Sequence, residues 1–287
     1  MRSKTAFCIT LASSLCLGIV LYAAQIPDGV ADEDIAEVVY SGEEILTYRV
    51  FWTGGIKIGE MHIEVRRTDD SGEQFKIHVR VKDSGVFHFF YPVNDTFDTI
   101  VAGKSYLPLR YDVEQKEGKS YRAKRHTEYD QERGVVRYRK NDQAEEVFQV
   151  DEYVHNEFSS FFFTRMLDFE QEMPVIVATF ADKKRHEVVV RAEEETHLTN
   201  KVLGKVNVIP VRPIMDFKGL YDKSGDTVIY LTNDSCRIPV RIQSKILVGS
   251  LTAELVSYSN PVCTEIVTYH TEKTIDIERN KKLELGD

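Results

Sequence analysis

The chain lacks the common signatures of catalysis. It has no His-Glu-x-x-His or His-x-Glu-x-His spacing, which removes the usual helical zinc hydrolases, and no Gly-x-Ser-x-Gly nucleophile elbow. His155, His186 and His197 are scattered, and Glu193-Glu194-Glu195 is a run of neighbours whose side chains would alternate across a strand rather than converge. These absences point to no catalytic residues, no metal ligands and no cofactor. Cationic charge is also in short supply. Lys and Arg total 37 against 46 Asp and Glu, a net charge of −9, which argues against nucleic acid as a partner. There is no internal repeat and no break in composition across 41–260, so a single domain is expected there.

Only one long apolar run exists, at the N-terminus. Arg2 and Lys4 precede a stretch from Ala6 to Ala24 without an acidic residue, the layout of a secretory signal. Cleavage near Ala23 or Ala24 would put Leu21 or Tyr22 at the −3 position, a poor fit. The run also approaches the ~20 residues that span a bilayer. Residues 1–24 therefore read as a signal peptide or an N-terminal anchor, and the expected location is the periplasm or cell envelope. Membrane contact is expected only through this segment, if it is retained. Residues 25–40, acidic and carrying Pro27 and Gly29, read as a linker. Of four cysteines, Cys8 and Cys16 lie inside the apolar run. Cys236 and Cys263 remain, an even pair bound for an oxidising compartment, on either side of a predicted hairpin; a disulfide and two free thiols both fit.

One segment is organised differently from the rest. In residues 155–168, Phe158, Phe161, Phe162 and Met166 recur at the spacing of one helical face. Phe163, Leu167 and Phe169 widen that face until little can stay wet. Asn156 suits the N-cap, Glu157 the positive end of the helix dipole, and Pro174 follows. Almost everything else alternates as strand. Leu46, Tyr48, Val50 and Trp52 share one face of 43–52, and Gly54-Gly55 turns the chain into 56–66. There the apolar phase slips at Gly59-Glu60, where a bulge is expected. Phe75, Ile77, Val79 and Val81 alternate with charged or polar neighbours along 74–82. Phe87 to Tyr91 reads as an aromatic loop or short strand packed inward. Further strands follow to about residue 258, with one more over 264–270 and a charged tail over 261–287. About a dozen strands joined by short turns predict a mainly β fold: one large curved antiparallel sheet, an open or half barrel, packed on the central helix. A two-sheet β-sandwich is the alternative.

The order of these features resembles a bacterial exported family, domain of unknown function 3108. EEILTYRVFWTGGIKIGEMHIEV (43–65) is similar to its opening, with Gly42-Glu43 and Ile58-Gly59-Glu60 in place. LPLRYDVEQKEG (107–118) resembles its Pro-Leu strand and LGKVNVIPV (203–211) its middle. NDSCRIPVRIQSKILVGSLTAELVSY (233–258) is the best match, with Arg237, Pro239-Val240 and Gly249. Phe162-Phe163-Thr164-Arg165 stands where a Tyr-rich Tyr-Leu-Arg is expected, and Cys236 is a second departure. The resemblance covers roughly 41–260 and implies an envelope-located β protein with no established activity.

Three functional classes follow. In the first, a non-enzymatic envelope protein binds or carries a lipid or other apolar ligand between sheet and helix, lined by Trp52, Phe75, Phe158, Phe161, Phe162 and Met166. Burying each CH₂ of such a ligand gains ~0.8 kcal/mol; an aromatic stripe at helical spacing is equally what a filled core requires. Arg122 and Lys124 on one strand, with Arg137 and Arg139 on the next, could hold head groups by charge-assisted hydrogen bonds, or simply form a wet sheet face neutralised in part by Glu128, Asp130 and Glu132. The second class is an assembly factor that contacts another envelope protein. The third is a hydrolase whose site follows no known motif.

Overall fold

The computed structural model describes residues 31–68, 73–85, 87–151, 153–169, 174–214, 227–246 and 248–264. The expected signal or anchor, the first part of the linker, the turn at 69–72 and nearly all of the expected last strand and tail lie outside the described residues.

Fifteen strands form one antiparallel sheet. In chain order they are β1 (Glu43–Trp52), β2 (Ile56–Arg67), β3 (Gln74–Asp83), β4 (Asn94–Ala102), β5 (Leu107–Glu117), β6 (Tyr121–Asp130), β7 (Val135–Lys140) and β8 (Glu146–Gln149). After the helix come β9 (Val175–Ala181), β10 (Lys184–Ala192), β11 (Thr196–Asn200), β12 (Gly204–Ile214), β13 (Thr227–Thr232), β14 (Pro239–Lys245) and β15 (Ser250–Ser259). The order across the sheet is β8-β7-β6-β5-β4-β3-β2-β1-β15-β14-β13-β12-β10-β9, with β11 paired to β12. Two meanders are thus sewn together where β1 meets β15, from Ile45 opposite Ser259 to Trp52 opposite Leu251. The sheet curls until β8 and β9, its two ends, approach each other without a shared ladder; Phe148 and Phe180 meet at 5.5 Å between ring centres, and Lys183 Nζ reaches Glu146 at 2.6 Å. The result is an open half barrel rather than a sandwich.

The bulge falls within a residue of its expected place. Val50 faces Gly59 and Phe51 faces Lys57, so Ile58 is the extra residue. Gly59 is required beside it: a Cβ there would lie 2.6 Å from the Lys82 carbonyl oxygen. Along β1 to β6 one face is dry and the other wet, as alternation demands. Leu46, Ile63, Val79, Phe97 and Val113 form one continuous buried row across five strands.

One end of the half barrel is sealed. The central helix α3 (Glu157–Arg165) lies there, shorter than its apolar pattern suggested, with Asn156 as N-cap accepting from the backbone N–H of Phe158 and Ser159. The Ser159 hydroxyl accepts from the Asn156 N–H in return, completing a capping box. The linker expected over 25–40 is corrected at its described end. Glu33–Val39 form a helix, α1, capped by Asp32, and Ile35, Val38, Val39 and Tyr40 are buried. Its acidic residues mask that apolar face in a simple composition reading. The turn at 103–106 joins this floor, with Tyr106 stacked on Tyr40 at 3.9 Å. The opposite end, where β1–β2, β3–β4, β5–β6 and β14–β15 turn, is the mouth. A strand missed by pattern, β11, is short and sits beside β12 only. Glu193-Glu194-Glu195 is an exposed link between β10 and β11, not strand.

Candidate functional site

The floor is organised by a charge pair that periodicity did not single out. Glu44 lies in phase with Leu46 and Tyr48 and so points inward; Arg165 ends α3 on the same side. Both are fully buried, and the guanidinium forks onto the carboxylate with 2.7 and 2.8 Å contacts. Arg165 Nε donates to the Arg237 carbonyl at 3.1 Å, and the Tyr258 hydroxyl donates to Glu44 at 3.2 Å. Burial works against the arginine's charge, but the adjacent Glu44 outweighs it and holds the guanidinium charged. The loop that supplies these carbonyls is tied by a Cys236–Cys263 disulfide. Every polar atom of the fork has a partner, so this is an anchor for α3, and the helix is a fixed plug.

Above that plug the inner wall is less complete. Val50, Met61, Val81 and Ile242 are only partly buried where they pack on the core, as are Phe158 and Phe161 on the helix. Phe158 lies 5.2 Å from Phe97 and 6.3 Å from Tyr111. One side of this upper layer is polar. Asp95, on the inner face of β4, is fully buried and accepts from the Lys116 N–H at 2.8 Å. Gln115 donates to Glu117 at 2.7 Å and accepts from Arg125; the Tyr91 hydroxyl donates to the other Glu117 oxygen at 3.0 Å. Burial first, and the Asp95 charge second, push the Glu117 carboxyl upward. Arg125 Nε is buried with no acceptor among the described residues. At the helix start, burial raises the half-buried Glu157 to about 7, while His155, stacked on Phe163, is pushed down to about 3 by the same cause. The wall therefore offers apolar surface, one guanidinium and a carboxyl pair on a single concave face.

The expected lining residues do not form one set. Phe162 and Met166 are sealed in the core, and Phe75 packs at the floor against Tyr40 and Tyr106. Trp52 is at the mouth, its indole N–H donating to the Val248 carbonyl at 2.9 Å. Only Phe158 and Phe161 border the upper layer. The reason is register: the strands run the full height of the cup, so residues alike in phase still differ in depth. Phe87 to Tyr91 also departs from expectation, since Phe89 and Phe90 are 80% and 79% exposed on a single helical turn, α2 (Phe87–Phe90). Arg122, Lys124, Arg137 and Arg139 share a face as expected, but it is the outer one. Arg137 opposes Glu128 and Arg139 opposes His126, whereas Ala123, Thr127 and Tyr129 fill the interior. These four cations cannot serve a ligand inside the cup. Lys124 and Arg137 already face Glu114 and Glu145. Arg125, one residue out of phase with them, is the cation that sequence reasoning passed over.

Two clefts open elsewhere. One, of about 800 Å³, runs along the floor edge between Glu43, Arg66, Arg67 and Asn260; the other, of about 300 Å³, lies between Arg110, Glu128 and Arg137. Neither touches the Phe-bearing helix. Among the described residues no group of three or more His, Cys, Asp or Glu side chains is arranged to hold a metal, and no helix is long and apolar enough to cross a membrane.

Residues 47–256 match the family described as "Protein of unknown function (DUF3108)". No curated protein matches the chain. Among solved structures, a β-barrel-like protein of domain of unknown function DUF1849 from Brucella abortus is similar over 76% of this chain and 97% of its own, with a TM-score of 0.54 and 10% identity, a likeness of fold alone. A crystal structure of MucB in complex with MucA(peri) aligns at TM-score 0.15 and 9% identity over 78% of this chain and 92% of that one, too distant to carry an argument.

Proposed function

We propose that this chain, which belongs to the DUF3108 family of proteins of unknown function, is a non-enzymatic cell-envelope protein whose half barrel binds an apolar or amphipathic ligand. The observation that carries the reading is the unfinished upper layer: Val50, Met61, Val81, Ile242, Phe158 and Phe161 remain partly exposed above a fully sealed floor. A ligand tail laid there would complete the core, and Arg125 is the inner-face cation available to an acidic head. The N-terminal export pattern and the cysteine pair support an envelope location. Asp95 and Glu117 are the strongest feature in favour of a hydrolase. Protein donors already occupy Glu117 on both oxygens, and neither described cleft reaches the pair.

Native mass spectrometry of protein purified from its own envelope tests the reading. The expected result is a non-covalent adduct, released by organic extraction and absent from Val81→Arg. Protein without adduct that also fails to bind N-phenyl-1-naphthylamine would sink it. An assembly factor would instead give one dominant protein adduct on crosslinking.

A further inference from the structure

Three turns meet at the mouth and carry exposed apolar side chains. Phe89 and Phe90 project from the β3–β4 connection at 80% and 79% exposure, followed by Tyr91 at 45%. The β1–β2 hairpin lies beside it through the Ser84 N–H to Ile58 carbonyl bond of 2.9 Å and presents Ile56 at 50%. The β5–β6 turn lies on the other side, where the Gly118 N–H donates to the Pro92 carbonyl at 2.8 Å, and presents Tyr121 at 44%. Isolated exposed apolar residues are ordinary; a contiguous group at one tip is not.

The charge around the tip is opposite to that of the molecule. Lys57, Lys82, His88, Lys119 and Arg122 are exposed on these turns and the strand ends beside them. Of the local carboxylates, Glu60 is tied to Lys57 at 2.7 Å, Asp83 is nearly buried against His88 at 2.8 Å, and Glu117 is enclosed by Tyr91 and Gln115. With Lys57 paired to Glu60 and His88 to Asp83, Lys82, Lys119 and Arg122 remain as a cationic collar around an aromatic point, on a chain of net charge −9.

We infer that the mouth docks on the surface of a lipid bilayer bearing anionic head groups, with Phe89 and Phe90 entering the interface. Aromatic side chains on a protruding tip, ringed by lysine and arginine, match a layer that is anionic outside and apolar beneath. A protein partner for so small and convex a tip would need a complementary acidic pocket, whereas a bilayer accommodates the tip without one. The inference stands on residues outside the cup and holds whether or not the cup takes a ligand. It places membrane contact at the mouth, in addition to any made by residues 1–24.

Trp52, the single tryptophan, sits at the mouth, and residues 1–24 hold no indole, so the signal comes from the mouth alone. The experiment mixes the full chain with phosphatidylcholine vesicles, with or without one-third phosphatidylglycerol, in which part of the lipid carries dibrominated chains that quench indole. Expected is quenching of Trp52 on the anionic vesicles, reduced at least tenfold on neutral ones. Phe89→Ser/Phe90→Ser should weaken apparent affinity about tenfold or more with an unchanged melting temperature, and Lys119→Glu about fivefold or more. Absence of quenching, equal quenching on neutral vesicles, or equal quenching in the double variant would overturn the inference. So would a crosslink from position 89 to one protein without any vesicle effect.

Discussion

At the floor, Arg165 and Glu44 are fully buried yet lack no partner; at the mouth, Phe89 and Phe90 stand largely in water. The same strands run from one region to the other. Charge inside is tolerated only where geometry satisfies every lone pair and proton, and apolar surface outside persists only where something other than folding retains it. The floor thus reads as stability and the mouth as contact. The upper layer of the cup lies between them, part apolar and part ionic.

Substitutions should separate these regions by size of effect. Arg165→Met leaves Glu44 buried without its cation and should cost about 3–5 kcal/mol in chemical denaturation. Combining it with Glu44→Leu should recover much of that loss, and a double variant as unstable as the single would show that the fork is not the anchor. Phe162→Ala should cost about 3–5 kcal/mol, and Phe161→Ala, on the half-exposed side, only about 1–2 kcal/mol. Equal losses would mean that the upper layer is closed after all. Reducing Cys236–Cys263, or replacing both by serine, should remove about 2–4 kcal/mol by loosening the loop whose carbonyls meet Arg165; no change in the midpoint would detach the disulfide from the floor.

A further contrast is in pH dependence, where two neighbours act with opposite sign. His155 binds its proton at about 3 when folded against 6.5 unfolded, so the unfolded chain takes up more protons between these values and stability falls as pH drops below 6.5. Glu157 binds its proton at about 7 when folded against 4.5, so its contribution is complete below 4.5 and is lost as pH rises to 7. Glu157→Gln should therefore gain on the parent chain progressively between pH 4.5 and 7 and then hold a constant difference. A difference independent of pH would show that the Glu157 carboxyl is solvated, as the mouth side chains are.

Much of the architecture was legible because strands and helices announce themselves locally. The limits of β1, the bulge near Gly59 and the Asn156 cap all follow from neighbours within a few residues. The helix α1 was hidden because Glu33, Asp34 and Glu37 dominate its composition, although Ile35, Val38 and Val39 mark its buried face. Glu44 was visible in principle as a carboxylate in an apolar phase, a sign that a cation must meet it. Nothing local says that the cation is Arg165, 121 positions away.

Alternation in the sequence by itself determined a one-faced antiparallel sheet around an aromatic helix, because side-chain direction is a property of each strand alone. Depth was decided only by tertiary structure. The β1–β15 seam and the register of every ladder set which phenylalanines are sealed, which border the cup and which meet the outside, and these are long-range choices that no short window of residues contains.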